Sequence, residues 1–125
     1  MIAPAPPIGP PIDPDAARRS VAGLATSFGA GDYAGAETHA RLLLRLAPTD
    51  GTLRRILAAA EVAQTKIEPG IINLRRALLV APNDVEAHYS LANTLLQAGR
   101  PDDAIRHHGH ALWLAPDHGE ALINL

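Results

Sequence analysis

The sequence predicts an all-α protein, a right-handed α-solenoid of antiparallel helix pairs, and three observations carry that expectation. Nearly half the chain is hydrophobic, yet its only aromatic residues are Phe28, Tyr33, Tyr89 and Trp113. A core must therefore come from small and aliphatic side chains packed helix on helix. Pro48, Pro82 and Pro116 fall 34 residues apart, and the same step relates Leu57 to Leu91 and Leu125, and Leu44 to Leu78 and Leu112. Within each period two apolar runs of helical spacing flank a turn, so each unit is one helix pair.

The elements follow in order. Residues 1–14, "MIAPAPPIGPPIDP", hold six of the eleven prolines and read as a disordered leader. They lack the basic start and continuous apolar run of a secretory signal. Residues 15–50 form the first expected unit, with Gly31 at its internal turn and Ala36 where the helices touch. Residues 51–84 form the second, whose turn "QTKIEPGI" is altered. Thr65 stands where glycine is expected, and Gly70 where the small alanine sits, at about 1 kcal/mol of helix propensity relative to alanine.

Residues 85–118 form the clearest unit. "DVEAHYSLANTLLQAG" places Ala87, Leu91, Ala92 and Leu95 on one face, and "PDDAIRHHGHALWLAP" does so for Ala104, Ile105, His108, Ala111 and Leu112. Asn83 is expected to cap the first of these helices, with Glu86 three residues on. Gly99 is expected to end that helix and Pro101 to open the next. Residues 119–125 fit the start of a fourth unit, whose apolar Leu122, Ile123 and Leu125 suggest a longer protein or an end covered by another chain.

A 34-residue helix-turn-helix unit with Leu91, Ala92, Leu95, Gly99, Ala104, Ala111 and Pro116 at its signature sites resembles the tetratricopeptide repeat. The resemblance covers about residues 15 to 125. His88 and His108 depart from it, standing where the family often has aromatic residues. It implies a concave surface lined by the first helix of each pair. The partner-binding residues it implies are Arg55, Val62, Glu86, Tyr89, Asn93 and Leu96, with Arg18, Val21, Ala25, Phe28 and Ala59 completing the line. A lysine and asparagine clamp for chaperone C-termini is not expected, because Ala59 and Ser90 occupy positions where asparagines would be needed.

Other chemistry is thin. With no cysteine there are no disulfides and no thiolate metal sites. A net charge of −2 offers no general attraction to nucleic acid or anionic membrane, and neither is an expected partner. "HHGH", residues 107–110, places His107 and His110 on one helix face, while the fold is expected to bring His88 toward His108. Two pairs on different faces argue against a metal site. No phosphate loop, nucleophile elbow or tuned acid pair is present, so no catalytic, cofactor-binding or metal residues are expected.

The sequence therefore reads as a cytoplasmic, non-enzymatic protein-interaction module whose partner is a protein or peptide, with self-association through the apolar C-terminal end a further expectation. The alternative is the substrate-recruiting repeat region of a larger glycosyltransferase or sulfotransferase, by analogy of fold.

Overall fold

The computed structural model describes residues 13–117. The expected start of a fourth unit and most of the expected leader lie outside them. Among the described residues six helices follow one another: α1 (Pro14–Gly29), α2 (Tyr33–Leu46), α3 (Gly51–Ala63), α4 (Ile67–Val80), α5 (Val85–Gln97) and α6 (Pro101–Leu114). Asp13 and Pro14, expected in the leader, instead start α1. The Asp13 carboxylate accepts from the Asp15 amide, and a proline in the first turn gives up only an amide hydrogen that has no helical partner there.

Each helix packs on its neighbours in sequence, and α3 also touches α5. Apolar residues gather in two successive layers rather than around one centre. The first joins Leu24, Ala36, Ala40, Leu43, Leu44, Leu57 and Ala60; the second joins Ala58, Ile71, Leu74, Leu91, Ala92, Leu95 and Ala104. Helix α3 feeds both layers, so the pairs are stacked in a row.

Local chemistry sets the boundaries. Asp50 and Asp84, one period apart, cap α3 and α5 by accepting from the Leu53 and Ala87 amides. Asn83, the cap expected from the sequence, instead lies in the preceding turn, which the Asp84 amide closes by donating to the Ala81 carbonyl. Gly31 and Gly99 end the first helix of their pairs with φ of +74°. Thr65 is forced to the same left-handed geometry at φ +64°, so the altered middle turn keeps its shape at a cost a β-branched residue feels.

Ionic contacts join one unit to the next. Lys66 and Arg100, one period apart, precede α4 and α6, where a cation opposes the helix dipole. Each reaches back to a carboxylate of the previous unit, Lys66 to Glu37 and Arg100 to Glu68, both at 2.8 Å. The Lys66 ammonium, helped by hydrogen bonds from Arg41 and Gln64, holds the Glu37 pKa at about 2 against a burial that works the other way. Deeper in, the buried Glu61 accepts from Asn73 of α4 and Arg41 of α2. The Asn73 oxygen accepts from Arg54, which also donates to the Pro48 carbonyl.

Two outcomes follow. Thr65→Gly should raise the unfolding free energy by about 1 kcal/mol, because relief of left-handed strain outweighs the extra freedom of the unfolded chain; urea melts that show no gain would contradict the strain. Because the folded pKa of Glu37 lies below its ordinary 4.5, the unfolded state binds the extra proton. The contribution of this carboxylate is complete above pH 4.5 and disappears as pH falls toward 2. With Lys66 and Arg41 half in water it is on the order of 1 kcal/mol. Glu37→Gln should flatten that part of a stability-versus-pH curve.

Candidate functional site

The alanines that let the helices approach also leave a depression between α3 and α5. This groove has a volume of about 540 Å3. Its α3 wall is apolar, formed by Ile56, Ala59, Val62 and Ala63 below Arg55, and Phe28 of α1 lies at its edge. The opposite wall, on α5, is polar: Ser90, Asn93, Thr94 and Gln97 recur at helical spacing. Thr94 donates to the Ser90 carbonyl of its own helix at 2.8 Å, and the amides of Asn93 and Gln97 supply both donors and acceptors to whatever enters.

Of the residues expected to bind a partner, Arg55, Val62 and Asn93 line this groove together, as do Phe28 and Ala59. Glu86, Tyr89 and Leu96 do not, nor do Arg18, Val21 and Ala25. Tyr89 packs edge-on against His108 at 5.9 Å between ring centroids, and Leu96 is exposed outside the groove. On α5 the lining stripe is turned by about one residue from the expected one, so Ser90 and Gln97 take the places assigned to Tyr89 and Leu96. Helical spacing alone does not separate the two stripes, because residues 89 and 96 lie as near to Asn93 on a helix as residues 90 and 97 do.

Arg55 brings the groove a cation that is already engaged. Its Nε lies 3.7 Å from Oδ2 of Asp84, an ion-pair distance, yet makes no hydrogen bond. The other carboxylate oxygen of Asp84 is the α5 cap.

Apart from the groove, the histidines regroup. His88 meets His107 and His110, not His108 as expected from the sequence. Its Nδ1 lies 3.1 Å from Nδ1 of His107 and its Nε2 lies 2.8 Å from the Pro82 carbonyl oxygen. The His110 ring stands edge-on to it with centroids 5.1 Å apart. Residues 107 and 110 share the face of α6 that turns to the start of α5, whereas residue 108 points into the core. Burial, reinforced by His88 and His110, holds the His107 pKa down at about 4. His108, also lowered by burial, has neither ring nitrogen hydrogen-bonded. Among the described residues no three His, Cys, Asp or Glu side chains converge so as to hold a metal ion. Nor is any described helix long and apolar enough to cross a membrane.

Comparison with known proteins agrees with this architecture. Residues 73–106 match the tetratricopeptide repeat family. No curated protein matches the chain. Among solved structures, the first TPR of Spaghetti (RPAP3) bound to the HSP90 peptide SRMEEVD is similar at a TM-score of 0.83 and 18% identity, over 91% of this chain and 90% of that one. The OM64 TPR domain of Arabidopsis is similar at 0.80 and 17%, over 87% and 90%. An O-GlcNAc transferase mutant of Thermobaculum terrenum is similar at 0.77 and 25%, over 88% of this chain but only 22% of that protein. The described helices thus have the fold of tetratricopeptide-repeat domains, and residues 73–106 are the segment that matches the tetratricopeptide repeat family.

Proposed function

We propose that this chain is a protein-interaction module that takes a peptide segment, extended or helical, in the groove between α3 and α5. The observation that carries the reading is the groove's two-sided chemistry, an apolar α3 wall facing an amide-bearing α5 wall. Such a cleft suits a ligand that buries alternate apolar side chains while its backbone exchanges hydrogen bonds with Asn93 and Gln97. Stacked helices hold the walls before the ligand arrives, which limits the ordering entropy that binding must overcome. The similarity to a TPR domain bound to an HSP90 peptide supports a peptide partner. A second reading, a substrate-recruiting region of a larger transferase, draws on the O-GlcNAc transferase similarity and differs from the first only in what the coding sequence holds beyond residue 125.

Peptides selected from a displayed random library against the wild-type chain should perturb the backbone amide resonances of Ala59, Asn93 and Gln97. Ala59 is exposed on the groove wall. Ala59→Trp should therefore fold normally, fill the groove and weaken binding at least tenfold, and Asn93→Ala should weaken it severalfold. Peptides that bind both variants unchanged, or that perturb only residues outside the groove, would remove the proposal.

A further inference from the structure

The histidine cluster of the third unit offers coordination chemistry that a peptide groove does not use. His88 is 5% exposed, and its Nε2 lies 2.8 Å from the Pro82 carbonyl oxygen. A carbonyl can only accept, so this nitrogen carries the ring proton, and in the neutral ring Nδ1 is left with a lone pair. That lone pair meets Nδ1 of His107 at 3.1 Å. With no cation present, His107 must be the Nδ1–H tautomer and donate.

We propose that His88 Nδ1 and His107 Nδ1 form a two-imidazole site for a late first-row divalent cation, copper(II) most tightly, which clips α5 to α6. Imidazole nitrogens bind such ions at about 2.0–2.1 Å. Two bonds of that length to nitrogens 3.1 Å apart enclose an angle of roughly 100°, between cis positions of a tetragonal ion and the tetrahedral value. The ion enters as the half-buried His107 ring turns to bring its lone pair beside that of His88, and the His107 proton moves from Nδ1 to Nε2. The Pro82 carbonyl supplies the outer hydrogen bond that ligating imidazoles usually make, fixing the His88 tautomer in advance.

No third protein ligand converges on this point among the described residues, so water fills the remaining positions. The His110 ring, exposed and 6.3 Å from that of His107, borders the site without completing it. The positive charges of Arg75 and Arg106, which act on His107, oppose a further cation and keep the affinity moderate. The order copper(II) above nickel(II) and zinc(II) follows from the intrinsic preference of nitrogen ligands and from the compressed angle.

The test titrates tag-free protein with copper(II), nickel(II) and zinc(II) chlorides near neutral pH in a non-coordinating buffer, read by calorimetry and, for copper, by electron paramagnetic resonance. One saturable copper site per chain is expected, with hyperfine coupling to two nitrogens. His107→Gln and His88→Gln should each weaken it at least tenfold, whereas His39→Gln should leave it unchanged. Absence of saturable binding overturns the proposal. So does binding that survives His107→Gln, or that depends on His110 but not on His107. If His88→Gln fails to fold by circular dichroism, the half-buried His107→Gln decides alone.

Discussion

The structure depends on how closely its helices approach, and that distance is set by side chains that barely exist. Ala36, Ala40, Ala58, Ala60, Ala77, Ala87, Ala92, Ala104 and Ala111 are all fully buried. Each lets two helix surfaces meet without a gap, so that Leu57, Ile71, Leu74, Leu91 and Leu95 can interlock across the contact. Alanine is also the strongest helix former, so packing and local propensity make the same demand. Gly70 goes a step beyond alanine. A Cβ there would lie 2.5 Å from Cγ2 of Val62 and 3.5 Å from the Ala58 carbonyl oxygen. Val62 is also part of the groove wall, so the close approach of α4 to α3 and the shape of the candidate site rest on one contact.

Apolar layers alone would leave the pairs free to slide, and buried polar contacts supply the register. Glu61 is almost wholly buried, which would be costly for a lone carboxylate, but Arg41 and Asn73 bring it partners from the helices on either side. The chain of contacts continues through Asn73 and Arg54 to the Pro48 carbonyl, joining α2, α3, α4 and the turn between the first two units. Gln64 adds a further link by donating to the Tyr33 carbonyl and to Glu37. These contacts concentrate on the middle unit, whose turn departs most from the pattern. Its Thr65 is strained at the point where polar ties are densest, which fits the expectation that persistent strain is held in place by its surroundings.

The pairing of helices and the small residues between them were legible in the sequence because both repeat, and repetition survives without knowledge of side-chain angles. Pro48 and Pro82, and Ala77 and Ala111, mark the period directly, and Gly31 and Gly99 mark it twice over. What repetition leaves open is a rotation of about one residue around a helix. Asn83 and Asp84 are adjacent, and either can cap a helix, but only Asp84 has the counterpart Asp50 one period earlier. On α5 the stripe through Tyr89 and Leu96 differs from that through Ser90 and Gln97 by one step around the axis. The same coarseness pairs His88 with His108 in the sequence, yet residue 108 is a core position and its neighbour His107 turns toward the start of α5. The network of Glu61, Asn73 and Arg54 had no sequence signal, since its hydrogen-bonded pairs lie 12 and 19 residues apart with no repeat to expose them.

The charge balance of the groove bears on what can occupy it. Its cation, Arg55, faces Asp84, and that aspartate also caps α5. A ligand carboxylate reaching for Arg55 would have to displace or share a partner that the fold needs elsewhere, and partly exposed pairs of this kind are worth only about 0.2–1 kcal/mol to begin with. Arg55 therefore contributes little net attraction for an anion. Asn93 and Gln97, by contrast, lie on the polar wall with amide groups that accept and donate at once, which is what a peptide backbone presents. On these grounds the groove selects through the shape of its alanine and valine wall and through backbone hydrogen bonding, and charge has the smaller part.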